Sequence, residues 1–157
     1  MTPVTLRAAK GEDIAAIVAM LADDDLGSGR DAVTNPLPRS YSDAFEEIAN
    51  DPNTCLLVAE QDGEIVGTLQ ITFMRGLSRK GARRANIESV RVASKRRGAG
   101  LGRQMLRKAI DLARAKGCAM VQLTAHKARS DAHRFYESLG FVASHQGMKL
   151  DLDPPKS

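Results

Sequence analysis

The chain has 157 residues and a formal net charge of +4, with 43% hydrophobic and 27% charged residues, a composition typical of one globular domain with its own core. No apolar run approaches the roughly 18 residues of a membrane helix, and the N-terminus lacks the apolar segment of a signal peptide. We therefore expect a single cytoplasmic domain over residues 1–157, with a loose tail at 153–157 and no association with membranes.

Charge is distributed unevenly along the chain. Between Glu12 and Asp51 there are ten acidic and two basic residues, whereas between Arg75 and Arg103 there are ten basic residues and one acid, Glu88. A basic half suits a phosphate-rich ligand, and an acidic half suits a cationic one. The alternative is that most of these charges are solvated surface.

The cysteines and histidines do not form a metal-binding pattern. Cys55 and Cys118 lie inside or beside apolar runs without metal-ligand spacing, and the three histidines form no recognisable ligand set. We expect two reduced, buried thiols, as in a cytosolic protein, and we predict no metal.

The first half of the chain predicts a strand, two helices and a hairpin. The dipeptide Asp62-Gly63 between two apolar runs is the strongest local signal for a hairpin turn. In chain order we expect a short strand at residues 4–7, a helix at 14–21, a loop at 23–38, a helix from about Ser42 to before Pro52, and strands at 55–60 and 65–73.

The second half predicts strands that alternate with helices. We expect a basic loop at residues 75–84, a strand at 87–93, a helix from Leu101 ended by Gly117, a strand at 119–125, a helix from Ser130 or Asp131 ended by Gly140, and last strands at 141–142 and 148–152. Hairpins followed by a strand–helix–strand crossover predict an α/β (α+β) fold, with a mixed, mostly antiparallel twisted sheet and helices on both faces.

A basic, glycine-rich turn joins the strand at 87–93 to the following helix. Glycines allow close approach of the backbone, and the free N–H groups of a helix start favour an anion. The turn lacks the Gly-Lys-Ser/Thr of a phosphate-binding P-loop, and the dinucleotide pattern G-x-G-x-x-G fails because it reaches Arg103. The pattern that fits is Arg97-x-x-Gly100-x-Gly102.

This turn resembles the R/Q-x-x-G-x-G/A signature of the GNAT family of N-acetyltransferases, in which it holds the pyrophosphate of acetyl-CoA. A second stretch, Ala132 to Phe141, is similar to that family's A-x-x-x-Y-x-x-x-G-F ending and follows at the expected distance. The resemblance covers nearly the whole chain and implies an acyl-CoA N-acyltransferase-like fold, with acetyl-CoA as co-substrate.

The resemblance also implies which residues bind acetyl-CoA. Many members carry an asparagine seven residues before the tyrosine, but Arg129 occupies that position here. The resemblance therefore does not imply the usual asparagine contact here, and Arg129 is instead a candidate to bind a coenzyme A phosphate. The expected cofactor-binding residues are Val90, Arg91, Val92, Arg97, Gly98, Ala99, Gly100, Leu101, Gly102, Arg103 and Arg129.

Acetyl transfer to an amine needs a base, a donor to the thioester oxygen and an acid. For the base we favour Glu88, which strand alternation places on the same face as Val90 and Val92. The N–H near Val90 is the expected donor, freed by a bulge or splay of the strand, and Tyr136 is the expected acid. The alternatives are a salt-bridged strand glutamate and a core tyrosine on a helix face.

Two other functions are alternatives to an N-acetyltransferase. The basic stretch suggests a nucleic-acid-binding module, but aromatics are only 4% of the chain, so we expect no nucleic-acid partner. The other is an acyl-CoA-binding protein of the same fold without turnover. We expect a small-molecule or peptide amine as acceptor, and Asp23, Asp24 and Asp25 in the loop after the first helix suggest that it is cationic. The chain is expected to be a monomer or a homodimer.

Overall fold

The computed structural model describes residues 2–23, 29–125 and 130–153, which fall into two units, Met1–Leu123 and Thr124–Ser157. The first unit contains β1 (Thr5–Ala8), α1 (Ile14–Ala22), α2 (Arg39–Ala49), β2 (Thr54–Gln61), β3 (Glu64–Arg75), the short turn α3 (Ser78–Gly81), β4 (Arg83–Val92), α4 (Leu101–Ala115) and β5 (Met120–Leu123). The second unit contains α5 (Ser130–Ser138).

The five strands form one sheet in the order β1-β2-β3-β4-β5. Strands β1 to β4 pair antiparallel, and β5 pairs parallel with β4 after the α4 crossover. The turn between β2 and β3 has Asp62 and Gly63 at φ of 53° and 77°, as a two-residue hairpin requires. The predicted α/β fold with a mixed, mostly antiparallel sheet is confirmed.

Helices cover both faces of the sheet. On one face, Met105 of α4 lies directly over Gly67, where a Cβ would come within 2.5 Å of the methionine sulfur. Leu69 and Ile71 follow on the same face of β3 and are fully buried; burial of one such side chain contributes about 1.5–3 kcal/mol. On the other face, α1 and α2 lie over Thr68 and its neighbours.

The strands β3 and β4 continue into the basic stretch that was predicted as a loop. Arg75 pairs with Arg83, which leaves only residues 76–82 as the connection. The Arg83 guanidinium and the Lys116 ammonium group lie 5.1 Å and 5.9 Å from the centre of the Phe73 ring, a cation–π arrangement that accommodates these charges on the sheet. Helix α2 likewise starts early, at Arg39 rather than near Ser42.

The last two predicted strands are wrong. Within residues 130–153 of the second unit, the described chain forms no strand after α5. Val142, Met148, Leu150 and Leu152 are between 81% and 93% exposed. Apolar alternation marks a segment suited to a sheet, but a strand forms only where its backbone groups pair with a neighbour.

Candidate active site

Strand β4 contains a bulge beside Glu88. Gln70 of β3 pairs with Glu88, and Thr68 pairs with Arg91, so the single residue Leu69 faces two residues of β4, Ser89 and Val90. Ser89 adopts a positive φ of 56°, which is uncommon for a residue with a side chain. The bulge that was expected near Val90 is confirmed, and neither Ser89 nor Val90 forms a regular one-to-one pair with a residue of β3.

The bulge changes which side chains share a face. Residues that pair across strands point to the same side, so Glu88 lies on the face of Gln70. Val92 pairs with Gly67, which belongs to the α4 face. The prediction that Glu88 and Val92 share a face is therefore wrong, because one extra residue reverses the alternation beyond the bulge.

A cavity of about 120 Å³ opens on the Glu88 face, between the sheet and the two N-terminal helices. Glu88 itself is exposed at its edge, next to Gln70 and Ser89. The cavity is lined by Ile14, Ile17, Val18 and Leu21 of α1, by Tyr41, Ala44, Phe45 and Ile48 of α2, and by Leu56, Thr68, Gln70 and Ser89 of the sheet.

Tyr41 connects the cavity wall to the loop that precedes α2. Its hydroxyl donates to Asp31 Oδ1 at 2.8 Å and accepts the Ala32 N–H at 3.0 Å. Burial raises the pKa of the Tyr41 phenol above its ordinary value, and the Asp31 carboxylate raises it further against the opposing Ala32 hydrogen bond. The phenol therefore stays protonated at neutral pH and holds this loop against the helix.

The glycine turn after β4 has the backbone that the sequence predicts. A single turn of 3-10 helix at Ser94–Arg96 follows the strand, Gly98 and Gly100 take φ of 83° and 79°, and α4 begins at Leu101. An added Cβ would meet nothing within 4 Å at either glycine, so conformation rather than packing requires glycine at both positions.

The arginines of this turn contact different parts of the first unit. Arg96 donates to Gln61 Oε1 and to Glu64 Oε2, both at 3.2 Å, which fastens the turn to the β2–β3 hairpin. Arg97 donates to the carbonyl oxygens of Val92 and Asp23, each at 3.3 Å, and its guanidinium lies 3.5 Å from the Asp23 carboxylate. Arg97 thus joins the glycine turn to the end of α1.

These groups fit the phosphates of a nucleotide cofactor. The first N–H groups of α4 have no acceptor within the helix, and they follow the two left-handed glycines and Arg97 in the chain. The donor set, backbone amides with a guanidinium, is the one that binds pyrophosphate oxygens bidentately. Ala99, Gly102 and Arg103, the other predicted residues of this turn, lie in or directly before the first turn of α4.

In the second unit, Tyr136 belongs to a helix C-cap. The Phe141 N–H donates to the Tyr136 carbonyl at 3.1 Å, and the Gly140 N–H donates to the Glu137 carbonyl at 3.0 Å, with Gly140 at a φ of 98°. This is the Schellman arrangement, in which a hydrophobic contact across the cap is common; here the ring centres of Tyr136 and Phe141 are 5.8 Å apart. The Tyr-x-x-x-Gly-Phe spacing therefore has a folding role of its own.

The structure brings together some predicted site residues and adds others. Glu88, Val90, Arg91 and Val92 lie on β4, which leads directly into the glycine turn, while Arg129 lies outside the described residues. Sequence reasoning missed Gln70, whose polar side chain between Leu69 and Ile71 was the available signal.

The described residues contain neither a candidate membrane helix nor a candidate metal-binding cluster. No helix there is both long and apolar enough to cross a membrane. In the same ranges, no three side chains of histidine, cysteine, aspartate or glutamate come together as a metal site. Cys55 and Cys118 are free thiols but only half-buried, so the predicted full burial is wrong for both.

Comparison with known proteins adds independent information. Residues 17–141 match the family described as the Acetyltransferase (GNAT) family. A glucosamine 6-phosphate N-acetyltransferase from Trypanosoma brucei brucei is 37% identical over 90 residues, which is 57% of this chain and only 59% of that protein's length. An aminoalkylphosphonate N-acetyltransferase from Salmonella typhimurium is 30% identical over 145 residues, 89% of this chain and 86% of that protein.

A solved structure is similar over almost the entire chain. The crystal structure of a protein from Bacillus halodurans C-125, described as a transcriptional regulator, has a TM-score of 0.93 and is 49% identical. The superposition covers 96% of this chain and 100% of that chain.

Proposed function

Because the chain belongs to the Acetyltransferase (GNAT) family, we propose that it transfers an acetyl group from acetyl-CoA directly to the primary amine of a small molecule. Family membership confirms the resemblance drawn from the glycine turn and the tyrosine motif. One observation carries the proposal: β4 runs from Glu88 through a bulge into the glycine turn that opens α4. A candidate base and an anion-binding turn thus lie on one continuous segment, beside a cavity.

Glu88 is proposed as the general base. The ammonium form of an alkylamine has a pKa of about 10, so it must lose a proton before its nitrogen has a lone pair to donate. Glu88 lies at the edge of the cavity and accepts this proton through a water molecule. A carboxylate at the open end of an otherwise apolar cavity also attracts the ammonium form of the amine to the site.

The rest of the transfer needs a hydrogen-bond donor and an acid. The amine nitrogen forms a bond to the acetyl carbonyl carbon, the carbon–sulfur bond breaks, and the departing sulfur takes a proton. The backbone N–H of Val90, in the bulge, is proposed to donate to the carbonyl oxygen as it gains negative charge. Tyr136 is proposed to supply the proton to sulfur.

Acetyl-CoA supplies the activated acetyl group, and residues of β4 and the glycine turn are proposed to hold it. The backbone of Val90, Arg91 and Val92 suits the amide-containing arm of the cofactor as an added strand. The amides from Arg97 to Arg103, with the Arg97 guanidinium, suit its pyrophosphate. Arg129 remains proposed as a further phosphate contact.

The acceptor's charge is a separate part of the proposal. The two relatives are named for glucosamine 6-phosphate and for aminoalkylphosphonate, both small amines. An acceptor with additional positive charge, which Asp23, Asp24 and Asp25 would favour, is the alternative to an acceptor with an uncharged body. Because Asp23 contacts Arg97, the cleaner variant is Asp24→Asn with Asp25→Asn; if the acceptor is cationic, this change raises the acceptor KM and leaves the acetyl-CoA KM unchanged. Two unchanged constants would make these aspartates surface charge.

Release of free thiol from acetyl-CoA, measured with and without a pool of primary amines, tests the activity. Thiol release that depends on an amine supports the enzyme, whereas tight acetyl-CoA binding without release would support an acyl-CoA-binding protein without turnover. Nucleic-acid binding, the function suggested by the basic stretch, predicts instead an affinity for DNA or RNA that falls steeply with salt.

The proposed setting of the reaction is the cytoplasm, where free thiols such as Cys55 and Cys118 stay reduced. The protein is proposed to act there as a monomer or a homodimer. Gel filtration with light scattering distinguishes the two assemblies.

A further inference from the structure

The cavity beside Glu88 has an apolar wall and a polar end. Eight of its twelve lining residues are aliphatic or aromatic hydrocarbons, and they come mainly from α1 and α2. The remaining four are Tyr41, Thr68, Gln70 and Ser89. Gln70 and Ser89 lie next to Glu88, so the polar end coincides with the proposed base.

Two of the four polar side chains already form hydrogen bonds with other residues of the protein. The Tyr41 hydroxyl is bonded to Asp31 and Ala32, and the Thr68 hydroxyl donates to the Leu57 carbonyl at 2.8 Å. Gln70 and Ser89 make no side-chain hydrogen bond to any other residue in the described ranges. They are the side chains of the wall that remain available for a ligand, and both lie at the Glu88 end.

The described wall carries no formal charge. A phosphate or phosphonate group needs a guanidinium, an ammonium group or a set of backbone amides to replace its water, and none of the described lining residues supplies a cationic side chain. A buried second ammonium group would likewise lack a carboxylate within the wall. The cavity therefore suits a hydrocarbon group and disfavours an ionic one.

We propose that the acceptor is a primary amine whose body is a compact hydrocarbon group, with the amine at Glu88 and the hydrocarbon in the cavity. This inference rests on the proposed N-acetyltransferase activity and narrows its substrate class. The volume of about 120 Å³ approaches the roughly 150 Å³ of an apolar protein cavity that binds benzene, so a branched alkyl chain or a single phenyl ring has the right size. The class excludes phosphorylated amino sugars and aminophosphonates.

The proposal predicts how rate depends on the length of the acceptor. In the series from ethylamine to pentylamine, kcat/KM for acetylation is expected to rise about fourfold for each methylene, the equivalent of about 0.8 kcal/mol, until the cavity is filled. Phenylethylamine and 3-methylbutylamine are expected to exceed glucosamine 6-phosphate, aminomethylphosphonate and spermidine by at least a hundredfold in kcat/KM.

Two matched variants of α2 test whether the hydrocarbon body of the acceptor binds in this cavity. Ala44 lines the cavity and Ala49 does not, yet both are exposed positions of the same helix. Ala44→Phe fills the cavity, so it is expected to lower kcat/KM for phenylethylamine at least tenfold while sparing ethylamine. Ala49→Phe adds the same ring outside the cavity and is expected to leave both values within twofold of the wild type.

The outcomes separate this inference from the function on which it rests. Acetylation that prefers the phosphorylated, phosphonate or polycationic amines would overturn the substrate class and leave the N-acetyltransferase proposal standing. Acetylation without any dependence on chain length, or equal effects of the two α2 variants, would also overturn it. If none of these amines is acetylated while acetyl-CoA binds, both proposals fall.

Discussion

Substitution of Gly102, in the first turn of α4, is expected to change folding stability and cofactor affinity in opposite directions. Gly102 has helical backbone angles, unlike Gly98 and Gly100, so the helix itself does not require glycine there. Replacing a helical glycine with alanine stabilises a helix by up to about 1 kcal/mol. For a chain of this length that gain raises the melting temperature by about 2–4 °C. Gly102→Ala is therefore expected to stabilise the unliganded protein.

The same substitution is expected to weaken acetyl-CoA binding. If the pyrophosphate approaches the amides of this turn closely, a Cβ at residue 102 keeps it at a distance. We expect at least a tenfold loss of affinity by calorimetry, about 1.4 kcal/mol, and a larger loss for Gly102→Val. A glycine that served only the fold would lower stability when replaced, so higher stability combined with lower affinity would indicate a role in binding.

Gly11→Ala is the control, because Gly11 lies in the 3-10 turn that precedes α1 and an added Cβ there meets nothing within 4 Å. It is expected to leave affinity unchanged. Gly100 is unsuitable, since its φ of 79° would cost a residue with a side chain about 1–2 kcal/mol and distort the turn. Wild-type affinity in folded Gly102→Ala and Gly102→Val would refute the pyrophosphate assignment.

Three further predictions concern the two proposed catalytic residues and a buried ion pair. Glu88→Gln is expected to lower kcat/KM by about 10²- to 10⁴-fold and to remove or shift the rise of kcat/KM with pH; an unchanged rate and profile would exclude the base. Tyr136→Phe keeps the cap and the ring contacts, so it is expected to lower kcat and abolish the fall in rate at high pH without lowering the melting temperature; wild-type kcat at every pH would remove the acid assignment. Asp13→Asn is expected to cost about 2 kcal/mol of unfolding free energy at neutral pH, since Asp13 accepts hydrogen bonds from Arg7 at 2.8 Å and 3.1 Å and from the Lys10 N–H at 2.8 Å. The Arg7 guanidinium lowers the pKa of Asp13 in the folded protein. The stability difference between wild type and variant should therefore be fully present above the Asp13 pKa of the unfolded chain, about 3.9, and disappear as pH falls through the lower pKa of the folded protein. A stability difference that stays constant in acid would contradict the role of the Asp13 carboxylate.

Local patterns predicted much of the fold. The Asp62-Gly63 dipeptide identifies a turn because both residues must adopt positive φ, and the structure has that turn. The glycine turn before α4 was predictable for the same reason, since Gly98 and Gly100 are left-handed. These turns depend on a few neighbouring residues, so a short stretch of sequence is enough to predict them.

Features that depend on distant neighbours were harder to predict. A bulge or splay near Val90 was expected because acetyl transfer needs a free N–H, but no residue type in β4 indicates where the two-residue period breaks. The alternation that was used to place Glu88 and Val92 on one face therefore failed. The alternation of Met148, Leu150 and Leu152 predicted a strand, but strand formation depends on a pairing partner that a local pattern does not contain.

The candidate site combined both kinds of information. Glu88 was identifiable because it is the only acid in a basic stretch, whereas the apolar cavity beside it is assembled from α1, α2 and three strands far apart in the chain. Its composition was visible only after those elements had been placed together. From the sequence alone, Asp23, Asp24 and Asp25 suggested a cationic acceptor, whereas the assembled cavity favours an acceptor with a hydrocarbon body.

The most direct test of the central claim is mass spectrometry of one reaction mixture that contains the purified protein, acetyl-CoA and phenylethylamine. Direct transfer predicts N-acetylated amine and free coenzyme A in equal amounts, with the intact protein unchanged in mass and product formation strongly reduced by Glu88→Gln. Acetyl-CoA that binds the protein but yields no acetylated amine, from phenylethylamine or from a broad pool of amines, would contradict the claim.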